Sequence, residues 1–303
     1  MTDRTEFQRE LTALLPEITL RCWEPMAEHT SFRIGGGAEV MAFPKNKAEL
    51  AQIMKASALL DTKPAILGAG TNVLAPDGGI AGLVICLKDC LDGMEQIGSN
   101  QIRCMAGVTM ARGAVFAANL GLAGMEFAHG IPGSIGGGVY MNAGAYGGEI
   151  GQICTGVEVM DRQGNLRTLS REEAGFSYRH SVLQDSQDLV VSAEFTLTSG
   201  NQEEIWAKMK DLIARRTASQ PLNLPSAGSA FKRPIGGYAA ALIEQSGLKG
   251  FRVGDAGISE KHAGFVVNLG AATAQDVRRL LGEVSDRVYE KTGIRLEPEV
   301  RIW

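Results

Sequence analysis

Residues 126–147 form a glycine-dense stretch that reads EFAHGIPGSIGGGVYMNAGAYG. Glycine is dense in it, and no helical or strand periodicity organises its apolar residues. A glycine costs about 0.5–1 kcal/mol of extra chain entropy, so a loop seldom collects this many unless backbone must approach something closely. The stretch therefore favours backbone wrapped around a bulky polar ligand such as a pyrophosphate. A glycine-rich core crossing without a ligand is the alternative.

A second glycine turn, residues 68–72, reads GAGTN and follows the short apolar run 64–67. Successive backbone N–H groups in such a turn form an anion-binding nest, to which the Thr71 and Asn72 side chains add hydrogen-bonding groups. No Lys-Ser/Thr pair follows the second glycine, and the third glycine of a dinucleotide fingerprint is missing, so neither a P-loop nor a Rossmann turn is indicated. A plain tight turn remains the alternative.

Composition narrows the class of protein. The chain has 303 residues, 38 of them glycine, and a formal net charge of −4. Its length suggests about two domains. The charge gives no footprint of nucleic-acid binding, and no apolar run approaches the ~18 residues of a membrane span. The charged start Met1–Glu6 is unlike a secretory signal, so we expect a cytoplasmic protein without membrane insertion or a nucleic-acid partner.

The cysteines are scattered and odd in number, which favours buried free thiols in a reducing compartment. They are Cys22, Cys86, Cys90, Cys104 and Cys154. Neither they nor His129, which lies inside the glycine-dense stretch, stands in a metal-ligand spacing. No metal site is therefore predicted.

Apolar spacing predicts the remaining elements. Helices are expected in a lead-in over 1–30 and over 46–60, 109–121, 202–216, 236–246 and 273–291. Strands are expected at 64–67, 83–87, 101–106, 189–198 and 294–302, and a hairpin joins 154–160 to 166–169. A domain boundary is expected near 199–201.

Six segments together resemble the UDP-N-acetylenolpyruvoylglucosamine reductases, also called UDP-N-acetylmuramate dehydrogenases. They are TSFRIGG at 30–36, GAGTN at 68–72, GIPGSIGG at 130–137, SYRHS at 177–181, GSAFK at 228–232 and LEPEVR at 296–301. Each is modest alone, but their order and spacing are specific and run along nearly the whole chain. The short connection after Tyr178 is similar to that of the shorter subtype of the family.

The resemblance implies an α+β fold. An FAD-binding region of the vanillyl-alcohol-oxidase (PCMH) type would occupy residues 1–199, in two subdomains split near 75–80. A smaller α+β substrate-binding domain would follow at 200–303. The implied reaction reduces UDP-N-acetylglucosamine enolpyruvate to UDP-N-acetylmuramate for peptidoglycan synthesis, which serves the cell wall, cell shape and cell division. FAD would be bound non-covalently, with NADPH as co-substrate and a nucleotide sugar as small-molecule partner.

The same resemblance implies the site residues. FAD would be held by Gly68, Ala69, Gly70, Thr71, Asn72, Gly133, Ser134, Ile135, Gly136 and Gly137. Arg179, Ser229 and Glu299 would be catalytic. Lys249, His262 and Arg216 would lie on the substrate side, toward the UDP diphosphate. Arg233 replaces an asparagine of the longer subtype, which leaves its contact with substrate open.

The chemistry suits these residue types. A guanidinium such as that of Arg179 forks onto a carboxylate, where it would stabilise enolate-like charge. The Ser229 hydroxyl, a weak acid, would protonate a strongly basic incipient carbanion. Glu299 must be protonated, or act through Arg179 or a water, and burial beside a like-charged substrate would raise its pKa. Glu297 should face the opposite way on a strand. Surface roles for these residues are the alternatives.

Two other functions remain open. A sugar or alcohol oxidase of the same superfamily would keep the flavin but pass electrons to oxygen, and it has no enolate carboxylate to stabilise. A nucleotide-sugar binding protein without catalysis would need neither Ser229 nor Glu299. Substrate-dependent NADPH oxidation separates the first from a reductase, and failure to bind FAD would indicate the second.

Overall fold

The chain, described by a computed structural model over residues 5–88 and 90–303, divides into two compact units. The first contains the chain up to Trp23, Glu39–Ala69 and Ala81–Ala214; the second contains Glu24–Ala38, Gly70–Ile80 and Arg215–Trp303. Both units combine helices with sheets, which confirms the α+β class. The expected domain limits, 1–199 and 200–303 with a split near 75–80, stay a prediction. The compact units differ from them because two early segments join the C-terminal part.

Helices occupy most of the predicted places. They are α1 Glu6–Leu14, α2 Lys47–Leu59, α3 Met110–Asn119, α4 Ile135–Tyr140, α5 Ile150–Ile153, α6 Leu183–Ser186, α7 Gln202–Ser219, α8 Ala239–Gln245 and α9 Ala274–Thr292. Short 3-10 turns cover Met26–Glu28 and Glu126–Gly130. The helices expected at 46–60, 109–121, 202–216, 236–246 and 273–291 are confirmed.

The strands are β1 Thr19–Pro25, β2 Gly37–Phe43, β3 Ala65–Leu67, β4 Val73–Leu74, β5 Ile80–Cys86, β6 Met94–Gly98, β7 Gln101–Met105, β8 Leu122–Ala123, β9 Gly144–Ala145, β10 Gly148–Glu149, β11 Cys154–Met160, β12 Leu166–Ser170, β13 Leu189–Thr196, β14 Thr198–Ser199, β15 Ser226–Ser229, β16 Arg252–Val253, β17 Ala256–Ile258, β18 Phe265–Asn268 and β19 Arg301–Ile302. The larger sheets have the orders β1-β2-β5-β3, β12-β11-β13-β7-β6 and β15-β18-β17-β16. Two-stranded pairs are β8-β14, β9-β10 and the parallel β4-β19.

In the first unit, local sequence explains where helix α2 begins and where the β11–β12 hairpin turns. Asn46 caps α2 by accepting from the Glu49 amide, and the helix buries Leu50, Ile53 and Met54, as its spacing predicts. The hairpin β11–β12 turns at Asp161, whose Oδ1 accepts from the amides of Gln163 and Asn165 at 2.8 and 2.9 Å. Such an Asp side chain stabilises a turn directly.

In the second unit, α9 is specified at both ends. Thr273 and Asp276 form a capping box at its start, and Gly293 ends it in the left-handed conformation with φ 73°. The Asp77 carboxylate accepts from the amides of Ala274 at 2.7 Å and Gln275 at 3.0 Å. Asp77 thereby holds the segment Gly70–Ile80 against the start of this helix.

Three expectations need correction. The lead-in is α-helical only in α1, apart from the short 3-10 turn Met26–Glu28. Residues 19–25 alternate in exposure and form strand β1 at the edge of its sheet, and the first four residues lie outside the described chain. The strand expected at 294–302 is reduced to Arg301–Ile302 and a single bridge between Phe231 and Pro298. Proline lacks an N–H group, so a regular ladder cannot continue through it. The glycine-dense stretch, in which no periodicity was found, contains the short helix α4.

The cysteines are free, as expected, and Cys86, Cys90, Cys104 and Cys154 are buried, whereas Cys22 is partly exposed. Burial raises the pKa of the Cys104 and Cys154 thiols to about 12 and that of Cys90 to about 11. Over the described residues, none of the helices is both long and apolar enough to cross a membrane.

Candidate active site

The two glycine segments meet inside the first unit. A Cβ on Gly68 would lie 2.7 Å from the Oγ of Ser134, closer than side chains approach one another. Ser134 is buried, and its hydroxyl caps α4 by accepting from the amide of Gly137 at 3.3 Å. A side chain at position 68 would therefore need the space that the Ser134 hydroxyl occupies. We call Gly68, Ala69 and Ser134–Gly137 the glycine cradle.

The cradle offers only some of its amides to a ligand. Ile135 and Gly136 donate their N–H groups to the carbonyls of Val108 and Ala106, at 2.7 and 2.9 Å. A Cβ on Gly136 would lie 3.0 Å from the Cβ of Ala106, so this glycine serves close packing. The expected backbone grip thus does not extend to these two amides.

Gly68 and Ala69 differ in this respect. Their N–H groups have no acceptor within residues 5–88 and 90–303, although both residues are partly buried. Buried backbone N–H groups almost always find an acceptor. Two such donors beside a buried serine match the chemistry of a pyrophosphate, so these residues fit FAD.

The glycine turn continues into the second unit. Gly70 has a φ of 65°, and a Cβ there would lie 2.0 Å from the carbonyl oxygen of His29. Its own carbonyl accepts from the amide of Ser31 at 3.0 Å. Thr71 and Asn72 follow, both partly buried. The conformation at Gly70 is therefore fixed by neighbouring backbone, which excludes any other residue.

The backbone segments that carry Ser229 and Glu299 pair with each other within the second unit. Ser229 ends strand β15 and is exposed, after Gly228 with a φ of 77°. The amide of Glu299 donates to the carbonyl of Ala230 at 2.9 Å, and the carbonyl of Glu297 accepts from the amide of Lys232 at 2.8 Å. This local pairing places Glu299 beside the residue that follows Ser229.

Glu297 and Glu299 do differ in environment, although the reason first expected is wrong. Residues two apart on a strand share a face, and no regular strand covers 297–299. The Glu297 carboxylate pairs with the Lys232 ammonium at 2.5 Å and is exposed. Glu299 is partly buried. Lys232 thus engages Glu297 and distinguishes the two carboxylates.

Arg179 lies in the first unit, at the corner of a tight turn closed by mutual hydrogen bonds between Ser177 and His180. Its φ is 56°, in the left-handed region, which costs a non-glycine residue about 1 kcal/mol or more. The guanidinium donates to the carbonyl of Gly144 at 3.2 Å and lies over the Tyr178 ring, 5.0 Å from its centroid. The turn therefore restrains both the backbone and the guanidinium of this arginine.

Two residues that sequence reasoning missed hold this turn. Asn142, fully buried, donates to the carbonyl of Ser177 at 2.8 Å and accepts from the amide of Gly151 at 2.8 Å. Gln184 donates to the carbonyl of Arg179 at 3.0 Å. A signal for Asn142 existed, since an asparagine among glycines often takes the left-handed conformation, and its φ is 42°.

The expected substrate-side residues belong to the second unit, and Lys249 and His262 lie close enough to interact electrostatically. The Lys249 ammonium pairs with the Glu244 carboxylate at 2.6 Å. Burial lowers the pKa of His262, with the charge of Lys249 as a smaller cause. Its Nδ1 accepts from the Gly264 amide at 3.1 Å, which leaves the proton of the neutral ring on Nε2. His262 is therefore a neutral donor rather than a cation.

The remaining sequence candidates are placed as follows. Arg216 lies partly buried in the last turn of α7. Arg233 lies over the Tyr238 ring, 4.5 Å from its centroid. His129 lies in a 3-10 turn, where burial lowers its pKa and its Nδ1 has no partner within the described chain. Among the residues described, no cluster of His, Cys, Asp and Glu has the arrangement of a metal site.

Comparisons with known proteins show similarity to one enzyme family. Residues 220–303 match the family model described as UDP-N-acetylenolpyruvoylglucosamine reductase, C-terminal domain, and residues 38–170 match an FAD binding domain. The chain is 43% identical to the UDP-N-acetylenolpyruvoylglucosamine reductase of Agathobacter rectalis over 307 residues, covering 98% of each chain. It is 42% identical to that of Levilactobacillus brevis over 293 residues, covering 97% and 96%.

A solved structure is also similar. The crystal structure of UDP-N-acetylenolpyruvylglucosamine reductase from Thermus caldophilus has 34% identity and a TM-score of 0.76. The match covers 95% of this chain and 99% of that one. The FAD-binding region implied by the sequence is thereby confirmed.

Proposed function

Because the chain belongs to the UDP-N-acetylenolpyruvoylglucosamine reductase family, we propose that Arg179, Ser229 and Glu299 carry out its chemistry. The protein is an FAD-containing, NADPH-dependent oxidoreductase that reduces UDP-N-acetylglucosamine enolpyruvate to UDP-N-acetylmuramate, a peptidoglycan precursor. FAD, when bound, supplies the hydride relay between NADPH and the sugar. The pairing of the Ser229 and Glu299 segments carries the assignment of roles.

The cofactor is assigned to the glycine cradle, to Gly70 and Thr71, and to the backbone of Asn72, whose side chain is engaged with Glu299. The amides of Gly68 and Ala69 would donate to the pyrophosphate, and Ser134 lies against Gly68 where the two segments meet. Ile135 and Gly136 contribute shape rather than donors, since their amides are already engaged. Binding by oriented backbone dipoles needs no basic side chain.

Arg179 binds the substrate carboxylate. Its guanidinium forks onto two oxygens and stabilises the charge that develops on the adjacent carbon. A donor aimed in advance contributes about 2.7–4 kcal/mol to such a transition state, which is the reason for holding this arginine in a strained turn. Asn142 and Gln184 supply that restraint.

Ser229 donates the proton that completes the reduction. Its exposure makes the hydroxyl accessible to substrate, and the carbon it protonates is basic enough for a weak acid to serve. Glu299, held next to Ala230, is positioned to orient that proton transfer as a neutral carboxylic acid or through a water. Lys232 keeps the nearby Glu297 engaged elsewhere.

Lys249, His262 and Arg216 recognise the UDP diphosphate. Lys249 must exchange Glu244 for phosphate, and His262 offers a neutral Nε2–H. We also assign the enzyme to the cytoplasm, where its free thiols stay reduced and where it serves cell-wall growth, shape and division.

Replacing Ser229→Ala tests the assignment. Flavin reduction by NADPH should remain nearly intact, whereas flavin reoxidation by the enolpyruvyl sugar should slow by about 10²–10⁴-fold, the contribution of a positioned proton donor. Stopped-flow absorbance measures each half-reaction, and Ser219→Ala, an exposed serine of the second unit, is the control. Equal losses in both half-reactions would remove Ser229 from this role. Substrate-independent oxidation of NADPH by oxygen would indicate an oxidase instead.

A further inference from the structure

The peptide groups around Glu299 are bound on both sides. Its N–H donates to the carbonyl of Ala230 at 2.9 Å, and its carbonyl accepts from the side-chain amide of Asn72 at 3.2 Å. The preceding residue is Pro298, which offers no N–H group. These two bonds therefore fix the orientation of the backbone from which the Glu299 side chain projects.

The two bonds belong to a longer chain of hydrogen bonds inside the second unit. The Ala230 amide donates to the carbonyl of Gly264 at 2.8 Å, and the Gly264 amide donates to Nδ1 of His262 at 3.1 Å. The series thus runs from His262 through Gly264, Ala230 and Glu299 to Asn72. The successive bonds engage different peptide groups, so each of them restrains the backbone of the next residue in the series.

Asn72 ends that series on a rigid support. Its own carbonyl accepts from the amide of Arg301 at 3.0 Å, and strand β4, which begins at the next residue, pairs in parallel with β19. The amide of Trp303 donates to the carbonyl of Leu74 at 3.1 Å. The Asn72 side chain is consequently committed to Glu299 by geometry that several backbone bonds enforce.

We propose that Asn72 is a positioning residue for Glu299. Through its side chain, Asn72 couples the loop of Gly70 and Thr71 to the catalytic glutamate. The sequence alone indicated a flavin ligand at Asn72, whereas the structure gives its amide a partner on Glu299. This inference rests on the proposed function, because it requires Glu299 to act in the substrate half of the reaction. Binding of FAD to the loop then steadies Glu299 before substrate enters.

Asn72→Asp is the central variant, since it removes the donor with almost no change of shape. At saturating FAD, flavin reoxidation by the enolpyruvyl sugar should slow about 10- to 100-fold, as expected for a displaced catalytic group, while reduction by NADPH changes less than about twofold. In a Glu299→Gln background the same replacement should add little, because residues that act as a unit are not additive.

Asn100→Asp is a matched control in the first unit. The Asn100 side chain donates to the carbonyl of Leu197 at 3.2 Å, and the Leu197 amide donates back to the Asn100 carbonyl at 2.9 Å. Asn72 likewise uses its side-chain amide and its own carbonyl, although its two partners are Glu299 and Arg301. This control should lose stability without any selective loss of reoxidation.

Hydrogen exchange of the apoprotein gives a readout that does not depend on activity. The peptide covering residues 296–303 should exchange faster in Asn72→Asp than in wild type or Asn100→Asp, and FAD should slow its exchange in wild type. Asn72→Ser, which keeps a shorter donor, should give an intermediate result and replaces Asn72→Asp if that variant does not fold.

Three results would overturn the inference: additive effects with Glu299→Gln, a loss confined to FAD affinity, or unchanged exchange at 296–303. Failure of the proposed function looks different. In that case wild-type enzyme would not be reoxidised by the enolpyruvyl sugar, or Glu299→Gln alone would leave reoxidation unaffected.

Discussion

The glycine cradle of the first unit and the Glu299 segment of the second are built on opposite principles. In the cradle, Gly68 matters because it has no side chain, and its neighbour Ser134 fills the space instead. Around Glu299, specific side chains and charges matter, as the bonds to Asn72 and the pair between Lys232 and Glu297 show. A site made from backbone should fail abruptly when one carbon is added. A site made from side chains should respond in proportion to the group removed.

Gly68→Ala is the strongest test of this contrast. The new Cβ would lie 2.7 Å from Ser134 Oγ, and relieving such overpacking costs about 1–3 kcal/mol. If relief displaces the cradle, the dissociation constant for FAD should rise about 10- to 100-fold. Titration of the apoprotein with FAD, followed by flavin fluorescence, measures it.

Gly282→Ala is the control for that change. Gly282 lies in α9, and a Cβ there would meet nothing within 4 Å. This replacement should stabilise the fold by about 1 kcal/mol through helix propensity and leave FAD affinity alone. Equal FAD affinity in wild type, Gly68→Ala and Gly282→Ala would show that the cradle is not a cofactor site.

Replacing side chains on the proposed substrate side of the second unit should change KM in proportion to the interaction removed. Lys249→Ala should raise KM for the nucleotide sugar about tenfold with little change in kcat, since it removes one charge-assisted hydrogen bond. Glu244→Gln should lower KM by about two- to threefold, because it frees Lys249 from a partly exposed pair worth at most about 1 kcal/mol. Steady-state kinetics at saturating NADPH measures both.

A matched ion pair separates this effect from general charge. Asp286 pairs with Arg295 at 2.9 Å in the same unit, and both side chains are exposed. Asp286→Asn removes the same charge as Glu244→Gln but should leave KM unchanged. A similar decrease of KM in both variants would assign the effect to net charge rather than to Lys249.

The smallest expected effect is on the pH dependence of stability, and it concerns His129 in the first unit and His262 in the second. Burial lowers the pKa of both His129 and His262 from 6.5, so the unfolded chain binds protons more readily than the folded protein. The stability they contribute is therefore complete above about pH 6.5 and is lost as the pH falls through their lower folded-state pKa values. Urea unfolding between pH 5 and 8 should show a shallower pH dependence in His129→Gln and in His262→Gln. An unchanged slope in either variant would contradict this reasoning for that histidine.

The sequence predicted those helices and turns whose stabilising contacts lie within a few residues along the chain. Helices α2 and α9 carry caps and apolar faces within a few residues, and their sequence indicated both. The β11–β12 hairpin was equally visible from the turn at Asp161. The glycine segments indicated a ligand cradle because each glycine costs conformational entropy on folding. So many glycines are therefore expected only where the backbone must approach a ligand or another segment closely.

Long-range relationships were not visible. Asn72 and Glu299 are separated by 227 residues, and nothing local distinguishes a side-chain amide that binds a ligand from one that binds a distant carbonyl. The apolar pattern of 294–302 suggested a strand, yet Pro298 and a partner at Phe231 restrict it to a single bridge. Arg179 and Ser229 were found by resemblance, whereas the restraint of Arg179 by Asn142 required coordinates.

Because the five thiols differ in exposure, an alkylating reagent should react with the native protein at one cysteine first. Cys22 on β1 is partly exposed, whereas the other four cysteines are shielded, three of them with thiolates that burial disfavours. Brief treatment with a maleimide dye should therefore attach a fluorophore at Cys22 alone. Slower labelling of the shielded positions would then time the opening of the first unit, without any engineered residue.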